Sequence, residues 1–369
     1  MPKTKMHELA QIGQSFWLDN MSRAMIEGGK LKSLIDQGLR GQTSNPTIFK
    51  QAISQSNDYD GKITELTESG KSTFEIYDAL TVRDVQDACD LFQGVYQSTN
   101  GLDGYVSLEI DPHLGNEFDA QLTEGLRLWQ KVNRPNLMVK VPATKSGCRV
   151  VEELLANGVN VNVTLIFSAE QYQDVAQAFL RGISKCAKDV SRVRSVASVF
   201  VSRIDSAIDK LLDAKIASGD QKLESLKGKA AVANSEIIFH KFHKLFTSPE
   251  FKVLESKGAH PQRVLWASTG TKNPNYSDIK YVTELIANPT VNTLPDKTLE
   301  AFLDHGTVKL AMPGDVAAAQ KIVEELRALG IDVGVVCLKL LEEGLTSFNQ
   351  SFDELTVSIE EKSKKLTIR

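Results

Sequence analysis

A lysine interrupts an apolar segment that has the composition of a buried β-strand. Lys140 lies between Leu137 and Thr144, among leucine, methionine and valine residues. Burial of an ammonium group is costly, and desolvation lowers the pKa of a lysine so that its neutral amine can attack a carbonyl and form a Schiff base. The alternative is an edge strand in which Lys140 points to solvent, as most lysines do. The rest of the chain must decide between these two interpretations.

Polar residues that could assist such a lysine end or follow the other strand-like segments. They are Asp19, Asn45, Glu109, Asn162, Thr164, Ser198, Arg203, Ser268 and Lys272. Each has a local alternative: Asp19 could cap a helix, Asn45 before Pro46 could belong to a turn, and Thr164 is an ordinary strand residue. Their joint placement at strand ends favours a catalytic site.

The chemistry of an imine-forming lysine requires this combination of side chains. A carboxylate such as Asp19 or Glu109 can move protons during dehydration and C–C cleavage, with a water held by Thr164. Arg203 and Lys272, with the hydroxyl of Ser268, are suited to binding a phosphate group. The six histidines are dispersed and the four cysteines show no short pairing, so we predict neither a metal site nor a bound cofactor.

Strand-like and helical segments alternate along the chain. The predicted strands cover residues 15–19, 38–46, 104–110, 137–144, 161–167, 196–204 and 263–268, with 289–295 as the eighth and 306–311 as its competitor. No Gly-rich dinucleotide motif follows any of them. The pattern predicts an α/β fold, a (β/α)8 TIM barrel with additional helices, in which side chains at the C-terminal strand ends form the active site.

The length of 369 residues fits either two average domains or one large barrel. Because no linker or change of composition divides the chain, we predict a single barrel domain over residues 1–369, with an N-terminal helix and a C-terminal helical tail. The net charge of −4 and the absence of a Lys/Arg block argue against nucleic-acid or anionic-membrane binding. No apolar run suggests a signal peptide or membrane span, so a cytoplasmic location is expected.

Six motifs carry a resemblance to a known family. They are Trp-Leu-Asp-Asn at 17–20, Thr-Ser-Asn-Pro at 43–46, Leu-Glu-Ile-Asp at 108–111, Val-Lys-Val-Pro-Ala-Thr at 139–144, Asn-Val-Thr-Leu-Ile-Phe-Ser at 162–168 and Ala-Ser-Val-Phe-Val-Ser-Arg-Ile-Asp at 197–205. In this order they resemble the successive motifs of the transaldolases, over about residues 15 to 355.

The resemblance implies that Lys140 forms a Schiff base with the dihydroxyacetone unit of a ketose phosphate. It further implies that Asp19 is the main acid/base and that Glu109 and Thr164 hold the catalytic water. Substrate contacts are then expected from Thr43, Asn45, Asn162, Ser198, Phe200 and Arg203. The implied reaction transfers a three-carbon unit from sedoheptulose 7-phosphate to glyceraldehyde 3-phosphate, giving erythrose 4-phosphate and fructose 6-phosphate in the non-oxidative pentose phosphate pathway.

One segment departs from the common pattern of the family. Many members carry an Ala-Ser-Phe-Arg type motif after the seventh strand, whereas this chain has Ala-Ser-Thr-Gly-Thr-Lys at 267–272. That sequence resembles the longer bacterial branch, and there the phosphate contacts are expected from Ser268 and Lys272.

Three other functions are open to a chain with this pattern. The first is an aldolase that cleaves fructose 6-phosphate, against which Phe200 argues because the related cleaving enzymes have tyrosine there. The second is a sugar-phosphate-binding barrel without turnover, and the third a two-carbon transferase, which would need a thiamine diphosphate motif that the chain lacks. The sequence leaves a monomer and a homodimer equally open.

Overall fold

Eight parallel strands close into a barrel in chain order, with β1 paired to β8. The computed structural model describes residues 3–367, so residues 1, 2, 368 and 369 of the predicted domain lie outside the described residues. The strands are β1 Gln14–Asp19, β2 Gly41–Thr43, β3 Tyr105–Glu109, β4 Leu137–Pro142, β5 Val161–Ile166, β6 Ser195–Phe200, β7 Arg263–Ala267 and β8 Thr290–Leu294. The predicted (β/α)8 barrel is confirmed, and 289–295 rather than 306–311 contains the eighth strand.

Helices surround the barrel and extend beyond the basic βα repeat. They are α1 Lys5–Gln11, α2 Arg23–Glu27, α3 Lys30–Asp36, α4 Pro46–Ser54, α5 Asp60–Glu68, α6 Thr73–Ser98, α7 Phe118–Val132, α8 Lys145–Ala156, α9 Ala169–Lys185, α10 Ser202–Ala217, α11 Ala230–Phe246, α12 Pro249–Glu255, α13 Lys280–Thr283, α14 Asp296–His305, α15 Val316–Ala328 and α16 Val333–Thr367. Short 3₁₀ helices span Pro112–Leu114, Val190–Arg192 and Gln221–Leu226. Among the described residues, no helix combines the length and apolar character that a membrane span requires.

Side-chain caps fix where several of these helices begin. A capping box joins Ser72 and Glu75 at the start of α6, and a second joins Ser168 and Gln171 at the start of α9. Each box satisfies backbone N–H groups that the first turn of a helix leaves without partners. The α9 box follows β5 directly, so it fixes the chain direction at the C-terminal end of that strand.

The apolar spacing from Met21 to Gln37 is that of a single helix, but Gly29 adopts a left-handed backbone with φ of 78° and divides the segment into α2 and α3. The predicted strand 196–204 ends at Phe200, and α10 begins at Ser202. Arg203 therefore belongs to the first turn of a helix, where its side chain reaches over the barrel mouth.

The strand–helix interface is packed with large aromatic side chains. Trp17 of β1 and Trp266 of β7 are fully buried, as is Tyr105 of β3. Trp17 lies beside Gly41 in the β1–β2 register. A Cβ atom at Gly41 would lie 2.6 Å from the Trp17 ring, so glycine is required there by close approach.

A buried ion pair closes the N-terminal end of the barrel. Arg263, the first residue of β7, donates through Nη2 to Asp103 Oδ1 at 2.8 Å. Ser15 of β1 donates to the other Asp103 oxygen at 2.7 Å and accepts from Arg263 Nη1 at 3.1 Å. Asp103 and Arg263 are only 2% and 7% exposed. This triad connects β1 and β7 to the loop before β3.

Removal of the Asp103 carboxylate should destabilise the fold strongly. Asp103→Ala leaves the Arg263 guanidinium buried without its partner, and we expect the free energy of unfolding to fall by roughly 3–5 kcal/mol. Asp90→Ala is the matched control, because it breaks the exposed Arg134–Asp90 pair and should cost at most about 1 kcal/mol. Urea denaturation of both variants measures the difference. Equal destabilisation by the two substitutions would contradict the prediction.

Candidate active site

A cavity of about 580 Å³ opens at the C-terminal ends of the strands. Ten of the twelve predicted site residues line it: Asp19, Thr43, Asn45, Lys140, Thr164, Ser198, Phe200, Arg203, Ser268 and Lys272. The other two, Glu109 and Asn162, lie in the barrel wall, where the strand register pairs both with Lys140. The structure thus brings all twelve positions together.

Lys140 is an interior residue of the barrel and not a solvent-facing lysine. It is only 4% exposed. Its Nζ atom lies 3.0 Å from Glu109 Oε2 and donates to the carbonyl oxygen of Ser44 at 3.0 Å. The ring centroid of Phe348, from α16, lies 5.6 Å from the same nitrogen. The amine is therefore held between a carboxylate, a carbonyl and an aromatic ring, with one side toward the cavity.

Two carboxyl groups flank the lysine, and both have raised pKa values. Burial is the main cause of the raised pKa of Glu109. The nearby Lys140 ammonium lowers this pKa, and the charge of Asp19 raises it further. Burial is also the main cause for Asp19, opposed by Lys140, by a hydrogen bond from Thr43 and by Arg203. The Thr43 hydroxyl donates to Asp19 Oδ1 at 2.8 Å. Both groups are consequently more easily protonated than ordinary carboxylates, which suits proton transfer at neutral pH.

The hydroxyl of Thr164 has no hydrogen-bond partner among the described residues, although it is fully buried beside the cavity. A buried hydroxyl is nearly always hydrogen-bonded, so this atom is suited to holding a water or substrate group. The next residue, Leu165, has a positive φ of 60°, and the β5–β6 register shifts between Val163 and Ile166. This irregularity sets the direction of the Thr164 side chain at the end of the strand.

Ser198 is oriented by a hydrogen-bonded chain behind the cavity wall. Its hydroxyl donates to Asn162 Oδ1 at 2.6 Å, and Asn162 Nδ2 donates to Ser107 Oγ at 3.0 Å. Both ends of the Asn162 amide are therefore occupied by hydrogen bonds. Ser198 presents its hydroxyl at the cavity and Asn162 supports it from below.

The end of β2 and the loop after it place two further polar residues at the cavity. Asn45 caps α4, since its Oδ1 accepts from the backbone N–H of Ile48 at 3.0 Å. Thr43 shares its hydroxyl between Asp19 and Thr293 Oγ1, which lies 2.7 Å away. Asn45 therefore caps a helix and also lines the cavity, as predicted for a site residue.

Three cationic side chains line the rim of the cavity: Arg203, Lys272 and Lys297. Within the described part of the chain, none of them has a carboxylate within 4.0 Å. Burial lowers the pKa of Arg203. The pKa of Lys272 is also lowered, mainly by burial and to a smaller extent by repulsion from Arg203. The Arg203 Nε–H is buried without a partner. Unpaired cations at one edge of a cavity are suited to binding an anion.

The segments that carry this cationic edge are tied to each other. Ser268, with a φ of 53°, places its hydroxyl 3.2 Å from that of Ser202 at the start of α10. The Phe200 ring lies 5.6 Å from the Arg203 guanidinium and 5.3 Å from the Phe167 ring. The end of β6, the start of α10 and the loop after β7 therefore form one rigid edge.

Sequence reasoning missed several lining residues, among them Lys297 and Phe348. Lys297 follows β8 by three residues, so the rule that strand ends carry the site could have identified it. Phe348 lies in the middle of α16, and no local signal marks it, because its position depends on how that helix folds back over the barrel. The helical spacing of His240 and His243 favours a pair that faces solvent. His240 is exposed, but His243 is half-buried, with its ring centroid 4.4 Å from that of Phe239.

The described residues contain no cluster of three or more His, Cys, Asp or Glu side chains arranged to hold a metal ion. The donor groups at the cavity are one amine, two carboxyl groups, hydroxyls, amides and three cations. Such a set can form an imine, move protons and bind an anionic group.

A lysine at the end of a barrel strand, beside two carboxyl groups and an anion-binding edge, defines a class of (β/α)8 enzymes that act on carbonyl compounds. Comparison with known proteins narrows this class. Residues 16–359 match the family described as Transaldolase/Fructose-6-phosphate aldolase, and the chain belongs to that family.

Curated relatives match almost the whole chain. A protein named Transaldolase from Trichodesmium erythraeum is 44% identical over 98% of each chain. Transaldolase 2 from a Nostoc species is 43% identical, also over 98% of each chain. The Transaldolase of Saccharopolyspora erythraea is 44% identical over 97% of each chain.

Proposed function

We propose that this protein is a transaldolase, which moves a dihydroxyacetone unit from sedoheptulose 7-phosphate to glyceraldehyde 3-phosphate. The observation that carries the proposal is the buried Lys140 ammonium, 3.0 Å from the Glu109 carboxylate and in the same cavity as Asp19. Relatives named transaldolase match 98% of the chain.

The first step is formation of the imine. Glu109 accepts a proton from the Lys140 ammonium, and the neutral amine attacks the C2 ketone of the donor to form a carbinolamine. Its hydroxyl leaves as water after protonation by a carboxylic acid. Asp19 and Glu109 both have raised pKa values, so each can carry that proton. The unpartnered Thr164 hydroxyl holds the water that leaves and that later returns to hydrolyse the product imine.

The second step is C–C cleavage and transfer. The Asp19 carboxylate removes the proton from the C4 hydroxyl, the C3–C4 bond breaks, and erythrose 4-phosphate leaves while the electron pair is retained as an enamine on Lys140. The enamine carbon then attacks C1 of glyceraldehyde 3-phosphate. The protonated Asp19 returns its proton to the new alkoxide, and hydrolysis releases fructose 6-phosphate. Asp19 is thus base and acid in turn.

The remaining residues of the cavity bind the rest of the substrate. Thr43, Asn45 and Ser198 contact donor hydroxyls, and Asn162 orients Ser198 through the 2.6 Å hydrogen bond. Arg203 binds the phosphate, with Lys272 and the Ser268 hydroxyl beside it, because these cations have no carboxylate partner in the described structure. Lys297 adds a fourth donor at the same edge. Phe200 and Phe348 supply apolar walls.

The absence of tyrosine from the cavity lining favours transfer over simple cleavage. The described residues that line the cavity include Phe200 and Phe348 but no phenol. A phenol near the enamine could protonate it and release dihydroxyacetone, whereas a phenyl ring has no proton to give. The enamine therefore persists until an aldehyde acceptor arrives.

The proposal extends to the setting in which the protein works. Its partners are sugar phosphates, with no nucleic acid, membrane or cofactor, and residues 1–369 act as one barrel domain. Cys89, Cys148, Cys186 and Cys337 are all free thiols, in keeping with the reducing cytoplasm. Monomer and homodimer are both compatible with the fold.

The test is an assay with fructose 6-phosphate in the presence of a chelator and without added cofactor. With erythrose 4-phosphate as acceptor, we expect sedoheptulose 7-phosphate and glyceraldehyde 3-phosphate to form in equal amounts. Without the acceptor, the reaction should stop once each enzyme molecule has cleaved one molecule of fructose 6-phosphate. Continuous release of dihydroxyacetone without acceptor would establish an aldolase instead, and binding without either reaction would establish a non-catalytic sugar-phosphate-binding protein.

A further inference from the structure

A second cavity, of about 1060 Å³, lies at the opposite end of the barrel. Its lining residues precede the strands: Asn100 comes before β3, Pro135 before β4, Asn160 before β5 and Arg194 immediately before β6. None of the candidate active-site residues lines it. Residues at this end of a (β/α)8 barrel ordinarily contribute to stability and not to catalysis. A cavity there that is lined by charged and aromatic residues therefore needs a separate explanation.

Arg194 is the most unusual residue of this second cavity. It is 8% exposed, and in the described part of the chain no carboxylate lies within 4.0 Å of it. Its Nη1 donates to the carbonyl oxygens of Ser191 at 2.5 Å and Val193 at 3.1 Å, and its Nη2 to that of Asn100 at 3.5 Å, while its Nε–H is buried without a partner among the described residues. Burial also lowers its pKa. A buried guanidinium without a counter-ion is costly, and a bound anion would remove that cost.

The surrounding charges are also positive. Lys188 and Arg192 line the cavity with exposed side chains. Asp189 is the one carboxylate among the described lining residues. Its Oδ1 accepts from the backbone and hydroxyl of Ser191 at 3.0 and 2.6 Å, and its Oδ2 lies 3.5 Å from Arg192 Nε. Three cations against one engaged carboxylate give the cavity a net positive charge, which attracts anions.

Aromatic side chains line another part of the same cavity. Tyr96 comes from α6, which leads to β3, and Trp129 from α7, which leads to β4. Both are partly exposed, and Tyr96 is held edge-on against buried Tyr105 with ring centroids 5.5 Å apart. The cationic residues precede β6, which is two strands beyond β4 in the barrel. The cavity therefore combines a flat aromatic side with a cationic side.

We propose that this second cavity binds a nucleotide, with its phosphates on Lys188, Arg192 and Arg194 and its base against Tyr96 and Trp129. Phosphate groups pair with guanidinium and ammonium donors, and a planar heterocycle stacks on aromatic rings. The site is independent of the proposed transaldolase activity, because the two cavities share no residue.

The fluorescence of Trp129 provides a direct readout. The chain has three tryptophans, and Trp17 and Trp266 are fully buried, so a bound base can contact only Trp129. Titration of the full chain with ADP should quench the tryptophan emission in a saturable manner, and Trp129→Phe should abolish that signal. Isothermal titration calorimetry measures the affinity of each variant independently.

Variants of the cationic side decide whether the phosphates bind there. We expect Arg194→Gln and Lys188→Ala each to raise the Kd for ADP by about tenfold or more. Lys188 is exposed, so its substitution tests the proposal even where Arg194→Gln impairs folding. Lys321→Ala, at an exposed position of α15, is the matched control and should retain the wild-type Kd.

The last comparison separates this site from the candidate active site. Arg203→Gln should retain ADP binding, and fructose 6-phosphate should not compete with ADP. Four results would each overturn the proposal: no saturable binding at millimolar ADP, an unchanged Kd in the Lys188 variant, competition by fructose 6-phosphate, or binding of tripolyphosphate as tight as that of ADP. The last of these would show that the aromatic side takes no part.

Discussion

Lys140→Met is expected to lower kcat by at least about 10⁴-fold, the scale seen when a covalent nucleophile is removed. Methionine occupies a similar volume but cannot form an imine. Incubation of the wild type with fructose 6-phosphate followed by borohydride reduction should leave a three-carbon adduct on Lys140, which peptide mass spectrometry locates. The adduct should be absent from the variant.

Two controls separate loss of chemistry from loss of structure. Lys140→Met leaves Glu109 buried without its cation, which is costly, so Lys140→Met/Glu109→Gln should recover the thermal stability while remaining inactive. Lys145→Met removes an exposed lysine at the start of α8 and should leave both the adduct and the activity intact. An adduct on another lysine, or substantial activity in Lys140→Met, would refute the assignment.

Asp19→Asn is expected to lower kcat by about 10²–10⁴-fold, the usual contribution of a general acid/base. Asparagine keeps the shape and can still accept from Thr43, so the cavity geometry is preserved. Because burial raises the pKa of Asp19, the wild-type kcat/KM should fall on acidification at a pH above the range of an ordinary carboxyl. This acidic decrease should be lost in the variant, because the base that becomes protonated is gone.

A carboxylate near the cavity but outside it serves as the control for Asp19. Asp296, at the start of α14, is paired with Lys30 at 2.6 Å and does not line the cavity. Asp296→Asn should therefore change kcat little and should retain the acidic decrease. If both variants lost activity equally, the effect would be one of local charge or structure, and Asp19 would not be the acid/base.

The strand pattern was readable from the sequence because each strand is short, apolar and bounded by turn residues. Even the weakly apolar eighth strand was located, since Pro289 and Pro295 bracket it and the structure places Thr290–Leu294 between them. The end of β6 was not readable. Val201 and Ile204 continue the apolar pattern of the strand, but they pack inward from the first turn of α10.

The site was predictable to the extent that it follows the strand ends. Lys140, Glu109 and Asp19 sit at or near the ends of their strands, so barrel geometry alone brings them together. The local pattern could not show whether each side chain faces the cavity or lies behind its wall. Asn162 and Ser198 come from neighbouring strands, and only the three-dimensional register shows that Asn162 supports Ser198 from behind. Phe348 was out of reach because it lies 208 residues after Lys140 (348 − 140), on a helix whose packing over the barrel no local pattern indicates.

The placement of α16 has a consequence for how the protein is made. The eighth strand ends at Leu294, but the cavity receives Phe348 only when α16 packs against α4 and α5, through contacts such as Thr47–Ser351 and Lys362–Asp60. During synthesis, which proceeds from the N-terminus, a nascent chain can have all eight strands and still lack one wall around its reactive lysine. Lys140 is therefore fully enclosed only after α16 has been synthesised, well after the eighth strand is complete.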